Sequence, residues 1–235
     1  VNKVLQAFAS PFNFRRALPD VWSGFQTNIK MMVIAEILVL IFALGIAVVR
    51  GLPGRAAMPL RGLAIVYTDV FRGTPLILVA LIVGLGLPTL RLHTISTQSF
   101  VTYGIIALVL VYSAYVTEVY RAGIESVHPS QRMAARSLGL GYGQTLRYVV
   151  LPQAVRRVVP PLLNDFIGLQ KDTSIIYVIG VAEASQQASN YSNAYFNFSG
   201  FTVAAVFFIL LTIPLARYTD YLIRQREQRE RAQIA

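Results

Sequence analysis

Ionisable side chains inside apolar runs are the first residues here with chemistry to offer. In NDFIGLQKDTS, residues 164–174, Lys171 and Asp172 stand side by side. Counted from Arg157, Lys171 lies about 13 residues into its run, roughly 20 Å at helical rise. Glu36, counted back from Arg50, reaches a similar depth in an earlier run. A charge at a bilayer centre costs roughly 2.5–3.5 kcal/mol on insertion scales, so it needs a partner or a water-lined cavity. Glu36, Lys171 and Asp172, with Asn164 and Thr173 beside them, are therefore candidates for lining a polar passage. Such a passage suits a zwitterion, whose ammonium and carboxylate need opposite charges. The other reading is mutual neutralisation between packed helices, Lys171 with Asp172 or Glu36. Glu118 with Arg121, and Asp69 with Arg72, have the i,i+3 spacing that puts both members on one helical face. They read as local ion pairs anchoring helix ends.

Nucleophilic and acid–base catalysis find no support. There is no histidine cluster, and His93 and His128 are loop residues far apart. A phosphate-cradling loop needs Gly-Lys followed by Ser or Thr. The lysines are Lys3, Lys30 and Lys171, and none follows glycine, so the chain is expected not to hydrolyse ATP by that chemistry. The absence of cysteine excludes disulfides and thiolate metal sites, and no resident cofactor or metal is expected.

The elements that position these residues belong to a membrane. The 235 residues are 55% hydrophobic and 14% charged, with mean hydropathy +0.56. A soluble domain has about 25% charged residues and no need of apolar stretches near 20 long. The net charge of +10 does not point to nucleic acid, because the arginines sit in loops between apolar runs. No short signal-peptide pattern opens the sequence, and the first run is too long for a cleaved segment. Five spans are expected: Ile29–Val49, a stretch within Pro59–Leu87, Phe100–Tyr120, Val158–Val181 and Phe201–Tyr221. The second is over-long and interrupted by RGTP, residues 72–75. It is either one kinked helix or an interfacial segment before a shorter span.

Arginines set the direction. Arg50, Arg55 and Arg61, six more from Arg121 to Arg157, and Arg224 onward fall on one side. The other side holds Arg91 and no Lys or Arg in residues 182–199, and only the N-terminal Lys3, Arg15, Arg16 and Lys30 argue back, outvoted by the later loops. By the positive-inside rule the C-terminus is cytoplasmic and the N-terminus outside. The layout is then an external or interfacial tail (1–24), a transmembrane domain (25–223) and a basic cytoplasmic tail (224–235). The polar loop 182–199 is either a plain connection or a contact surface.

Between the third and fourth spans lies MAARSLGLGYGQTLRYVVLP, residues 133–152, too polar for lipid. Pro129 ends the previous helix, and Ser130 is the expected cap of a new one. Gln131–Leu138 reads as a short helix with Ala134, Ala135 and Leu138 on one face, stopped by Gly139. GYGQTLRYVV starts a second helix, and Pro152 introduces the next segment. The result is a compact cytoplasmic knob, either an ordinary basic loop or a surface another protein reads.

Met133-Ala134-Ala135, three residues, Gly139, nine residues and Val149-Val150-Leu151-Pro152 resemble the EAA signature of ABC-importer permeases, with Met133 where that signature has Glu. FRGTPL (71–76), EVYRAGIESV (118–127) and KDTSIIYVIGVAE (171–183) are similar to the polar-amino-acid branch. The resemblance implies an all-α polytopic protein of the type I importer fold, with five transmembrane helices and a cytoplasmic coupling helix at about 130–147. It implies that Met133, Ala134, Ala135, Arg136, Gly139 and Arg147 meet an ATPase subunit. It further implies two such subunits carrying ATP and magnesium, a second permease chain, identical or similar, a solute-binding protein, an amino acid substrate and a bacterial cell membrane. Arginine, histidine, glutamine and glutamate fit equally. The rival is a secondary transporter driven by an ion gradient through Glu36, Lys171 and Asp172, for which five spans without internal repeats are awkward. A non-transporting assembly subunit is a third reading.

Overall fold

The computed structural model describes residues 2–91 and 98–234, and among these every regular element is helical. His93 lies outside them. Helix α1 (Asn2–Ala9) is followed by α2 (Pro11–Arg50), 40 residues with Pro11 in its first turn. At 1.5 Å per residue α2 is about 60 Å long, twice a hydrocarbon core. Its first half is not a loose tail. Ala17, Val21 and Phe25 are buried against Ala184, Ala188 and Tyr191 of α9 (Ala184–Tyr195) and Val203 and Ala204 of α10 (Ser199–Ile234). The polar loop expected at 182–199 is thus largely α9, capped by Glu183, which accepts from the Gln186 N–H at 2.8 Å.

The second half of α2 packs along α5 (Phe100–Glu125). Small side chains set the spacing, as membrane helix contacts require. Ala35 and Ala43 on α2 and Ala107 and Ala114 on α5 are fully buried. The core also takes in α4 (Leu76–Thr89) through Leu76, Val79 and Val83, Leu169 of α8 (Leu151–Asp172), and Ile176 and Ile179 of the 3₁₀ helix Thr173–Ile179.

The RGTP interruption is a break. Helix α3 (Met58–Gly73) and α4 meet at 106°. Thr74, at φ −104° and ψ 127°, is extended, as the residue before proline prefers. Among the described residues, three helical stretches are long and apolar enough to cross a membrane, Lys3–Arg50, Phe100–Glu125 and Ser199–Gln225, or four if the bent pair counts as one. Helix α8 does not qualify by composition, since it carries Arg156, Arg157, Asp165, Lys171 and Asp172.

Pro160 and Pro161 lie inside α8. Pro152 does not open the separate segment expected of it. Helix α7 (Tyr142–Thr145) runs through a π turn, Leu146–Val150, into α8, and the Leu151 N–H bonds the Leu146 carbonyl. The wider turn accommodates a residue that has no N–H to donate.

Backbones approach closely where α2 crosses the start of α9. A Cβ on Gly24 would stand 2.6 Å from the Glu183 carbonyl carbon and 2.7 Å from the Ala184 nitrogen. Gly24→Ala is expected to destabilise by about 1–3 kcal/mol through overpacking. Gly45→Ala, where nothing lies within 4 Å, should be neutral or raise stability by up to about 1 kcal/mol. Thermal unfolding of both variants in detergent separates them.

Candidate functional site

The knob begins at α6 (Pro129–Ser137). Its cap is His128 rather than Ser130: the His128 ring accepts from the Ser130 N–H, with Nδ1 at 3.2 Å. Pro129 occupies the first helical position, where a missing N–H costs nothing, which moves the cap one residue upstream of it. Gly139, at φ +83°, stops the helix as expected, and the Leu140 N–H reaches back to the Ala135 carbonyl at 3.2 Å. The expected common face forms without Ala135. Ala135 is buried, whereas Ala134 is exposed and Leu138 is 84% exposed. With Met133, Tyr142 and Tyr148 also exposed, large apolar side chains stand among the exposed Arg136 and Arg147. Arg132 donates to the Ile124 carbonyl at 2.7 Å, and Arg157 donates to that of Ser126, tying the knob and α8 to the end of α5.

Above the knob, one carboxylate gathers arginines from three helices. Glu118 on α5 pairs with Arg50 at the end of α2, with Arg121 at 2.8 Å, and with Arg72 of α3 at 3.9 Å. Arg50 also donates to Thr68 Oγ1 at 3.0 Å, and Arg121 reaches Glu125 at 2.7 Å. The Glu118–Arg121 pair is the one its spacing predicts. The Asp69–Arg72 pair does not form: Asp69 is exposed without an ion pair among the described residues, and Arg72 turns towards α5. There its guanidinium lies 5.9 Å from the Tyr115 ring centroid, and the Tyr115 hydroxyl donates to its carbonyl at 3.2 Å.

At the bend between α3 and α4, a cavity of about 500 Å³ opens against α5 and α8. Arg72, Tyr112, Tyr115, Asn164, Asp165 and Asp172 supply its polar lining. A neighbouring cavity of about 400 Å³ shares Arg72, Tyr115 and Asp165 and also reaches Glu118 and Arg157. Asp172 accepts from the Tyr112 hydroxyl at 2.8 Å. Asp165 Oδ2 is buried with no hydrogen-bond partner. The site therefore presents two carboxylates, one with an unused acceptor, and a guanidinium.

Of the five sequence candidates, Asn164 and Asp172 face this cavity. Lys171 is exposed and forms no ion pair with Asp172 or Glu36. Glu36 is half-buried, within electrostatic reach of Asp165 and Tyr120 rather than of Lys171. Thr173 is buried and turned away, accepting from Asn28 Nδ2 at 3.1 Å and donating to the Gln170 carbonyl. Asp165 was the missed residue. Its signal was present, since Asp165 and Asp172 are seven apart, two turns along one helical face.

A second buried polar group joins α2 to the start of α9. Asn28 Nδ2 donates to Glu183 Oε2 at 2.9 Å, and Asn28 Oδ1 accepts from the Ala184 N–H at 3.0 Å. Glu183 is fully buried with no ion pair among the described residues, and burial pushes its carboxyl above the ordinary range, opposed by donors from Ser185, Asn28 and Gln186. Among the described residues no three His, Asp or Glu side chains stand close enough to hold a metal ion.

Residues 57–228 match the family model described as "Binding-protein-dependent transport system inner membrane component". The probable glutamine ABC transporter permease protein of Bacillus subtilis is 36% identical over 72% of this chain and 77% of its own. The glutamate transport system permease protein of Corynebacterium glutamicum is also 36% identical, over 84% of this chain and 90% of its own. Among solved structures, a crystal structure of an amino acid ABC transporter with histidines superposes with a TM-score of 0.80 at 31% identity, covering 88% of this chain and 94% of that one.

Removing the Glu118 carboxylate leaves three guanidiniums facing one another. Glu118→Gln is expected to cost about 2 kcal/mol, the scale of hydrogen bonds to charged groups. Arg50→Met with Glu118→Leu should recover part of that loss, because it removes the most closely held guanidinium together with its carboxylate while Arg121 keeps Glu125. Thermal unfolding of the single and double variants measures both.

Proposed function

Because the chain belongs to the family of binding-protein-dependent transport system inner membrane components, we propose that its knob couples ATP hydrolysis on a separate subunit to movement of a polar amino acid through the cavity beside α8. The chain is a membrane-spanning permease subunit of an ABC importer, and a membrane part of a transport complex. The ion-gradient alternative has no counterpart among these relatives.

The finer reading runs as follows. Helices α2, the α3–α4 pair, α5, α8 and α10 form five spans, with α8 admitted because its charged face lines water rather than lipid. The N-terminus is outside and the C-terminus in the cytoplasm of a bacterial cell. Two permease chains, identical or similar, enclose the pathway, and two ATPase subunits carry the nucleotide and magnesium. Each ATPase seats one knob as its coupling helix, through Met133, Ala134, Arg136, Leu138, Tyr142 and Arg147, with Gly139 making the turn and Ala135 packing it. A solute-binding protein delivers substrate. ATP binding draws the ATPases together, rocks the knobs and turns the cavity from one side to the other.

The observation that carries this is the cavity's chemistry. The unused oxygen of Asp165 and the carboxylate of Asp172 suit an ammonium, while Arg72 suits a carboxylate. Those are the two ends of an amino acid. Side-chain selection among arginine, histidine, glutamine and glutamate falls to the rest of the cavity and to the partner permease.

Purification from the native membrane is the test. An ATPase that co-purifies, and is stimulated by a solute-binding protein loaded with one amino acid, is the expected result. A chain that purifies alone and transports down an ion gradient would overturn it. Within the complex, Asp165→Asn and Asp172→Asn should each lower uptake at least tenfold with assembly intact, and Lys171→Gln should change it less than twofold. Leu138→Asp should abolish stimulated ATP hydrolysis without loss of the chain from the membrane.

A further inference from the structure

A groove of about 830 Å³ opens between α2, α3 and α5. Leu38, Phe42, Val49, Leu63, Ile106 and Val109 are among its walls, and none of its lining residues lines either polar cavity. It is therefore separate from the passage. The Tyr67 and Ser113 hydroxyls at its edge are already used, 2.6 Å apart, with Tyr67 donating to the Leu110 carbonyl and Ser113 to that of Val109. Neither hydroxyl has a proton left to donate to a polar ligand. Along α2 the groove runs from Leu38 to Val49, about 16 Å at helical rise and about half of a ~30 Å hydrocarbon core. That is the depth of one leaflet. Gly45 lies in the wall, and a Cβ there would meet nothing within 4 Å, so the space is open.

One end of the groove carries positive charge without an answer. Val49 and Leu60 border the turn from α2 to α3, and no Asp or Glu occurs between Glu36 and Asp69. Of the arginines in this turn, Arg50 is neutralised by Glu118. Arg55 is exposed and has no ion pair among the described residues. Arg61 donates to the Leu52 and Gly54 carbonyls at 3.1 and 3.0 Å, which holds its guanidinium at the rim and leaves its charge unbalanced.

We propose that this groove binds one anionic phospholipid, its acyl chain lying between α2, α3 and α5 and its phosphate held by Arg55 and Arg61. An apolar slot of one leaflet's depth fits the chain, and the uncompensated arginines at its mouth select the headgroup. The site acts whichever substrate the transporter carries, because it shares no residue with the cavity.

The test is native mass spectrometry of the detergent-purified transporter complex, offered equal amounts of phosphatidylglycerol and phosphatidylcholine with identical chains. One phosphatidylglycerol should be retained per permease chain, at least fivefold over phosphatidylcholine. Arg55→Ala should bring that ratio towards one, and Gly45→Phe should cut retention of either lipid at least tenfold while assembly and thermal unfolding stay unchanged. Equal retention of the two lipids by the unaltered protein would overturn the headgroup assignment. Undiminished retention in Gly45→Phe would overturn the groove assignment. So would a Gly45→Phe complex that separates into single chains, since the groove would then hold a second copy's helix. If Gly45→Phe does not fold, Gly45→Leu gives the same readout with a smaller plug.

Discussion

The carboxylate of Glu118 is the fixed point to which three helices are tied. A guanidinium cannot be deprotonated to escape a low-dielectric setting, so arginines at the membrane boundary must find anions or water. Arg50 ends α2, Arg72 ends α3, and Arg121 lies on α5 with Glu118 itself. Drawn to one acid, they fix the angle at which α3 leaves α2 and crosses α5. Glu125 takes part of the Arg121 charge, yet the group still has more cations than anions. The surplus falls on Arg72, which is 3.9 Å from Glu118 and outside hydrogen-bond range of it.

That loose attachment has a consequence next door. Arg72 lines both polar cavities as well as joining the arginine group. A side chain held by attraction at 3.9 Å, rather than by a short hydrogen bond, gives up little when it turns towards a ligand carboxylate. Asp165, with its oxygen unused, and Asp172, held by Tyr112, wait on the facing helix. Gly168 between them lets the Tyr112 hydroxyl come within 3.1 Å of where a Cβ would stand. The same α5 surface thus anchors the helix ends through Glu118 and, through Tyr112 and Tyr115, borders the cavity that Arg72, Asp165 and Asp172 line.

Much of this was legible in the sequence because it is local. The apolar runs, the break at RGTP, the Glu118–Arg121 spacing and the stop at Gly139 each depend on residues a few positions apart. The misses are long-range. Arg50 and Glu118 are separated by 68 positions, and nothing near Arg50 reveals its partner. Residues 1–24 resembled a tail because Ala17 and Val21 have their apolar partners in α9 and α10. Lys171 and Asp172 looked like a pair because they are adjacent in sequence, but neighbouring positions on a helix point about 100° apart. That rotation puts Asp172 in the cavity and Lys171 outside it. The His128 cap was hidden for a smaller reason: serine is the commoner cap, and proline in the first turn displaced it.

The segment from the knob to the cavity joins these parts mechanically. From Tyr142 to Asp172 the chain is helical without interruption, passing through one π turn and the proline pair. Its first turn carries Tyr142 on the exposed knob, and its far end carries Asp165 and Asp172. The π turn and the prolines each lose regular i to i−4 hydrogen bonds, so the helix is softest at these places. Val158 is pinned against Gly123, where a Cβ would come within 2.1 Å of its methyl group, and Arg157 is bonded to the Ser126 carbonyl. A helix held at its middle and loosened near that hold acts as a lever. In the proposed cycle, displacement of the knob end would reach the cavity end as a change of tilt, and Asp165 and Asp172 would move with it.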